Sequence, residues 1–151
     1  MPLTLNAQAP AFTLPSTAGG DFSLESLAGR ACILYFYPKD FTAVCSKEAC
    51  SFRDQFAAFR KSEVPVFGVS RDRIETHLKF KEQYQLPFDL LSDLDGRVAK
   101  AYKAHVPILG ITKRITYLLA ACHKIVAIHD ALFGDEAHVE KMIDALGATA
   151  S

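Results

Sequence analysis

The sequence predicts an α/β fold, a central mixed sheet with helices on both faces. Three observations predict it. Residues Ala31–Tyr37 form an uninterrupted apolar run that ends at Pro38, as expected of a strand buried on both faces. Segments with helical spacing of apolar residues alternate with short strand-like runs along the chain. The 151 residues, 50% of them hydrophobic, are enough for one domain over 1–151 with a full core. A domain of that size buries roughly 68–70% of its unfolded surface and needs no disulfide or metal to fold.

The elements follow in order. Ala9–Gly20 is rich in Pro, Ser, Thr and Gly and reads as loops around a short strand at Phe12-Thr13-Leu14. After the buried strand at 31–37, Thr42 is an N-cap candidate for a helix from Ala43 to Lys61. Ala49, Phe52, Phe56 and Phe59 recur there at three- and four-residue steps, one helical face. Val64–Val69 is the next strand, and Asp72 is placed to cap a helix through Tyr84. Asp95-Gly96 starts a short helix to Lys103. Ile115–Leu119 and Ile125–Ile128 read as strands joined near Cys122-His123, and a last helix runs from Glu136 to Leu146 before Gly147. This order suits a thioredoxin-like fold, which alone does not give a function.

Charge and cysteine usage narrow the function classes. With 17 basic and 17 acidic residues, no field is expected that would hold nucleic acid or an anionic membrane. No apolar run is long enough to span a bilayer, and residues 1–6 carry no secretory or transit pattern, so a cytoplasmic protein is expected. In a reducing compartment, cysteines at 32, 45, 50 and 122 are not a disulfide scaffold. Neither they nor the scattered histidines show ligand spacing, so neither a metal nor another cofactor is expected.

The chemistry lies in Tyr35–Cys50, which runs from the end of a buried strand into a helix, where open α/β sheets place reactive groups. With Thr42 as N-cap, Cys45 is the third helical residue, among unpaired N–H groups whose dipole favours a thiolate. An ordinary thiol is only about 3% ionised at pH 7, and a helix end supplies about 1–2 kcal/mol toward the anion. A nearby cation is needed as well. Cys45 also lies on the apolar stripe, as a core cysteine would, so position alone leaves reactive and structural readings open. Cys50 is five residues further on. At about 100° per residue the two side chains point about 140° apart with Cα atoms roughly 8.7 Å apart, beyond the ~7 Å a disulfide permits. Cys50 shares its face with Ser46, Asp54 and Ala57, not with the phenylalanines. Either it is structural, or the helix start unwinds to let the two sulfurs meet. Cys32, inside the buried strand, reads as structural; Cys122 lies at a hairpin and receives no chemistry.

Pro38-x-x-x-Thr42-x-x-Cys45 resembles the active-site motif of peroxiredoxins. Tyr35–Pro38, Lys39-Asp40, Glu48-Ala49-Cys50 and Phe52-Arg53-Asp54 extend the likeness to the PrxQ, or bacterioferritin comigratory protein, subfamily. Ala9-Pro10-x-Phe12-x-Leu14, Gly68-Val69-Ser70, Leu86-Pro87-Phe88, Leu91-Ser92-Asp93 and Lys113-Arg114-x-Thr116 carry it over most of the chain. The resemblance implies a thiol peroxidase acting on hydrogen peroxide and organic hydroperoxides. In that role Cys45 attacks the peroxide, Thr42 holds it through its hydroxyl, Arg114 is the missing cation and Pro38 shields the thiolate. Cys50 resolves the sulfenic acid after local unwinding, and thioredoxin or a similar dithiol reduces the disulfide. The subfamily further implies a monomer.

Two departures are visible: Ala43-Val44 stands where most relatives have Pro-Gly, and Ala120–Lys124 lacks the usual Asp- and Gly-containing turn. One rival reading is a thioredoxin-type thiol–disulfide oxidoreductase. It requires C-x-x-C, whereas the position three after Cys45 is Glu48. The other is a non-enzymatic binding module on the same fold.

Overall fold

The structure is a computed structural model that describes residues 3–54, 64–106 and 110–130. Along the chain, strands β1 (Thr13–Pro15) and β2 (Asp21–Ser23) form a hairpin, followed by a 3-10 turn at Leu24–Leu27. Then come β3 (Cys32–Phe36), helix α1 (Ala43–Asp54), β4 (Val66–Ser70), α2 (Ile74–Gln83), β5 (Asp89–Ser92) and α3 (Arg97–Ala101). The short strands β6 (His105–Val106) and β7 (Ile111–Thr112) pair with each other, and β8 (Ile115–Leu119) and β9 (Ile125–Asp130) close the described chain.

Five strands form one mixed sheet in the order β5-β4-β3-β8-β9. β3, β4 and β5 are parallel, and β8 runs antiparallel between β3 and β9. The apolar run read as a buried strand is the centre of this sheet, and alternation across it divides the core. Cys32, Leu34 and Phe36 face the N-terminal hairpin, the 3-10 turn and α3. Ile33, Tyr35 and Tyr37 face α1 and α2 through Cys45, Ala49 and Phe80. Gly68 of β4 lies between Tyr35 and Leu90 in register. A Cβ there would sit 2.7 Å from the Tyr35 ring, so only glycine lets the ring cross the strand. Parallel neighbours need crossovers, which is where α1 and α2 lie, whereas β8 and β9 are joined by a turn.

Several expectations are adjusted. β2, β5, β6 and β7 are two to four residues long, too short for periodicity to reveal. Asp72 does not cap α2: Arg73 occupies that position without a side-chain cap bond. The Asp72 carboxylate instead accepts from the Asp40 N–H at 2.8 Å and the Ser70 hydroxyl at 2.5 Å, because it faces the active loop. At α3, Gly96 is the N-cap, and Asp93 together with Asp95 satisfies the first N–H groups. At the β8–β9 turn, His123 takes the left-handed conformation (φ 64°) that glycine favours. Its Nε2–H donates to the carbonyls of Leu27 and Arg30 at 2.9 and 3.1 Å, which holds the turn without the usual Asp and Gly. The predicted helix beyond Asp54, with Phe56, Ala57 and Phe59, and the terminal helix over 136–146 lie outside the described residues.

Candidate active site

β3 ends at Phe36, and Tyr37 still donates its N–H to Val69 of β4. Pro38, half-buried, then breaks the strand. The loop to Thr42 turns the chain into α1. The Thr42 carbonyl accepts the Ser46 N–H at 2.8 Å, so Thr42 stands at the N-cap position and Cys45 in the first helical turn. The Thr42 hydroxyl donates to the Lys39 carbonyl at 2.9 Å on the exposed side of the loop. Its oxygen lone pairs remain acceptors.

Cys45 points under the helix into the core beside Tyr37 and Ala49 and is 1% exposed. Arg114 ends the segment leading into β8. Because β8 is antiparallel to β3, with Phe36 opposite Ile115, the residue before β8 lies next to the residues after β3. Arg114 is 8% exposed, and its Nη1 donates to the Cys45 Sγ at 3.3 Å across 69 positions of sequence. The contact sets a positively charged group directly beside the sulfur. Cys50 lies on the same continuous helix, half-buried, and all four cysteines are free. Cys32 has no such cation among the described residues. Burial pushes its thiol up to about 12, which keeps it protonated and unreactive at neutral pH. Cys122 is exposed on the hairpin turn.

Sequence reasoning missed the group that anchors the loop. Asp40 is buried and accepts from the Tyr37 hydroxyl at 2.5 Å. Its other oxygen meets Nδ1 of buried His77 at 2.6 Å. The His77 Nε2–H donates to the Leu91 carbonyl at 3.0 Å, so one proton lies between Nδ1 and Asp40. Burial, with Tyr35 and Asp40 nearby, holds the Tyr37 hydroxyl well above its ordinary range and thus protonated as a donor. Asp40, Asp72 and His77 place three ligand-type atoms within 4.8 Å of one another, but each is already committed to the contacts just described. The fixed loop carries Phe41 at φ 64°, a strained conformation for a bulky residue. Its ring packs edge-on against Phe80 at 5.1 Å and near Tyr84 at 6.4 Å, so tertiary contacts maintain the strain. The only hint in the sequence was His77 standing three residues before Phe80 on the apolar face of its helix; nothing tied it to Asp40.

Comparison with known proteins adds an independent line. The model of the AhpC/TSA family matches residues 5–128. A putative peroxiredoxin bcp from Coxiella burnetii is 48% identical over 102 residues, 68% of each chain. Peroxiredoxin Q, chloroplastic, from rice (Oryza sativa subsp. japonica) is 37% identical over 139 residues, 91% of this chain; this chain spans 64% of the rice protein's length. Among solved structures, peroxidoxin BcpB from Mycobacterium tuberculosis superposes with a TM-score of 0.90 at 30% identity, covering 97% of this chain and 98% of the other. Peroxiredoxin Q from Xanthomonas campestris gives a TM-score of 0.85 at 28% identity over 93% and 92% of the two chains.

Proposed function

The chain belongs to the AhpC/TSA family and is a thiol-dependent peroxidase with a thioredoxin-like fold, and on that premise we propose that Cys45 is its attacking thiolate and Cys50 its resolving thiol. The observation that carries this reading is the Arg114–Cys45 contact, which supplies the charge a reactive thiolate needs. The sulfur attacks one peroxide oxygen; the S–O bond forms as the O–O bond breaks, and the departing oxygen leaves as an alkoxide or hydroxide that takes up a proton. Arg114 stabilises that developing charge. The Thr42 hydroxyl, already donating to Lys39, accepts a hydrogen bond from the peroxide O–H. Pro38 keeps bulk water from the sulfur. The product is a Cys45 sulfenic acid. The Cys50 sulfur then attacks it, forming the disulfide and releasing the sulfenic oxygen as water.

Peroxiredoxins act on hydroperoxides with thioredoxin-type reductants. For this chain the proposed partners are hydrogen peroxide or an organic hydroperoxide and thioredoxin or a similar dithiol. We place it in the cytoplasm as a monomer of one domain over 1–151, without nucleic-acid or membrane partners. Among the described residues no helix is long and apolar enough to cross a membrane.

The test is peroxide consumption with thioredoxin and thioredoxin reductase. Cys45→Ser is expected to fall to background. Cys50→Ser is expected to keep one rapid sulfenic-acid step and lose cycling. After one equivalent of peroxide, peptide mass spectrometry is expected to find Cys45 linked to Cys50. Full activity in Cys45→Ser, or Cys45 bridged to Cys32 or Cys122, overturns the assignment.

A further inference from the structure

Away from the thiol site, a cleft of about 380 Å³ opens between the start of α3 and the β6–β7 pair, a volume suited to a small molecule. Arg71, just past β4, spans it. Its Nε donates to the Leu94 carbonyl at 3.1 Å and its Nη1 to the Gly110 carbonyl, which leaves three N–H groups. Gly96 and Gly110, at φ 73° and 64°, bring the two walls against this side chain. Arg97 and Lys100 also line the cleft. They are three residues apart on α3 and share a face. His105 adds an imidazole from β6.

The negative charge nearby is already engaged. Asp95 is the one carboxylate in the lining among the described residues and accepts the Arg97 N–H at 3.0 Å. Asp93, buried close by, accepts from the Val98 and Ala99 N–H groups at 3.2 and 2.9 Å. The cleft's positive charge therefore comes from side chains, Arg71 held in place and Arg97 and Lys100 on its rim, against one lining carboxylate. In a chain with 17 basic and 17 acidic residues that concentration is local. Thr112 also lines the cleft, is 2% exposed, and its Oγ1 has no hydrogen-bond partner among the described residues. A buried hydroxyl in that position is uncommon without something to bond.

We propose that this cleft binds a phosphate dianion, free or as a small phosphomonoester, through Arg71, Arg97 and Lys100, with the Thr112 hydroxyl donating to the same oxyanion. The excess of two positive charges matches a dianion, and a guanidinium fork suits tetrahedral oxygens. The ligand is separate from the peroxide, but it would sit on the segment that delivers Arg114, whose Lys113 N–H is fixed to the Ala104 carbonyl at 2.7 Å.

The reduced full chain can be titrated with sodium phosphate, glycerol 3-phosphate and, at matched ionic strength, sodium chloride, while amide and side-chain shifts are followed by NMR. Saturable shifts centred on residues 94–100 and 110–112 are expected with the phosphates and not with chloride. Equal affinity for the two probes assigns free phosphate; tighter binding of glycerol 3-phosphate assigns a monoester. Lys100→Ala is expected to weaken binding roughly tenfold, the loss of one charge-assisted hydrogen bond, and to keep wild-type peroxide consumption. Thr112→Val is expected to weaken it too. Shifts that chloride reproduces, shifts that never saturate, or unchanged affinity in both Lys100→Ala and Arg97→Ala overturn the proposal.

Discussion

At the scale of single residues, the two buried thiols, Cys32 in β3 and Cys45 in α1, sit in separate halves of the core. Cys32 and Cys45 are both almost fully enclosed, but among the described residues only Cys45 faces a guanidinium, at 3.3 Å. Removing that donor removes a hydrogen bond to a charged group, worth about 1.5–3 kcal/mol. Arg114→Ala is therefore expected to lower the rate of sulfenic-acid formation about 10- to 150-fold, measured by stopped-flow with hydrogen peroxide. Arg114→Lys is expected to recover part of that loss, since it restores the charge without the planar fork. An unchanged rate in Arg114→Ala would remove Arg114 from the chemistry. This pairing was beyond the reach of periodicity and spacing. Thr42 and Cys45 are local and legible as a cap and a helix start, whereas Arg114 is 69 positions away and alone reads as a surface charge beside Lys113; only the resemblance singled it out. The Asp40–His77 pair, 37 positions apart, had no such guide and was missed.

At the scale of elements, the proposed cycle asks two incompatible things of α1. Intact over Ala43–Asp54, it positions Cys45 at its first turn; intact, it also keeps Cys50 too far away for a disulfide. Both ends of the helix are tied elsewhere. The entry loop hangs from Asp40, Asp72 and His77, and Arg53 donates to the Tyr84 carbonyl at 2.8 Å. The unwinding that the proposed disulfide requires would thus be confined between fixed points. Amide hydrogen exchange should show it: after one equivalent of peroxide, protection is expected to fall in residues 43–50 and persist in β3. Unchanged protection alongside a Cys45–Cys50 disulfide would refute the opening step. Long elements were legible because a continuous apolar run and three- and four-residue spacing are strong signals. The four residues of β5 and the two each of β6 and β7 carry no period to read, and their pairing is decided by neighbours instead.

At the scale of the whole molecule, stability should carry an unusual acid signature. Burial is the main cause that holds the Asp93 carboxyl above the usual carboxylate range, with the Ala99 and Val98 N–H groups acting the other way. The folded chain then binds this proton more readily than the unfolded chain does. Asp93's contribution is fully present below the unfolded value, about 3.9, and declines as pH rises through the folded one. The unfolding free energy of wild type minus that of Asp93→Asn, from urea curves at several pH values, is expected to increase as pH falls from 7 toward 4; a decrease would reverse the sign. The sheet itself has a further consequence. Arg114 meets Cys45 because β8 adjoins β3, so their meeting depends on strand adjacency rather than on the length of chain between them. A change in the length of the surface loop near residue 94, remote from both strands, can therefore be absorbed without altering which residue faces the sulfur.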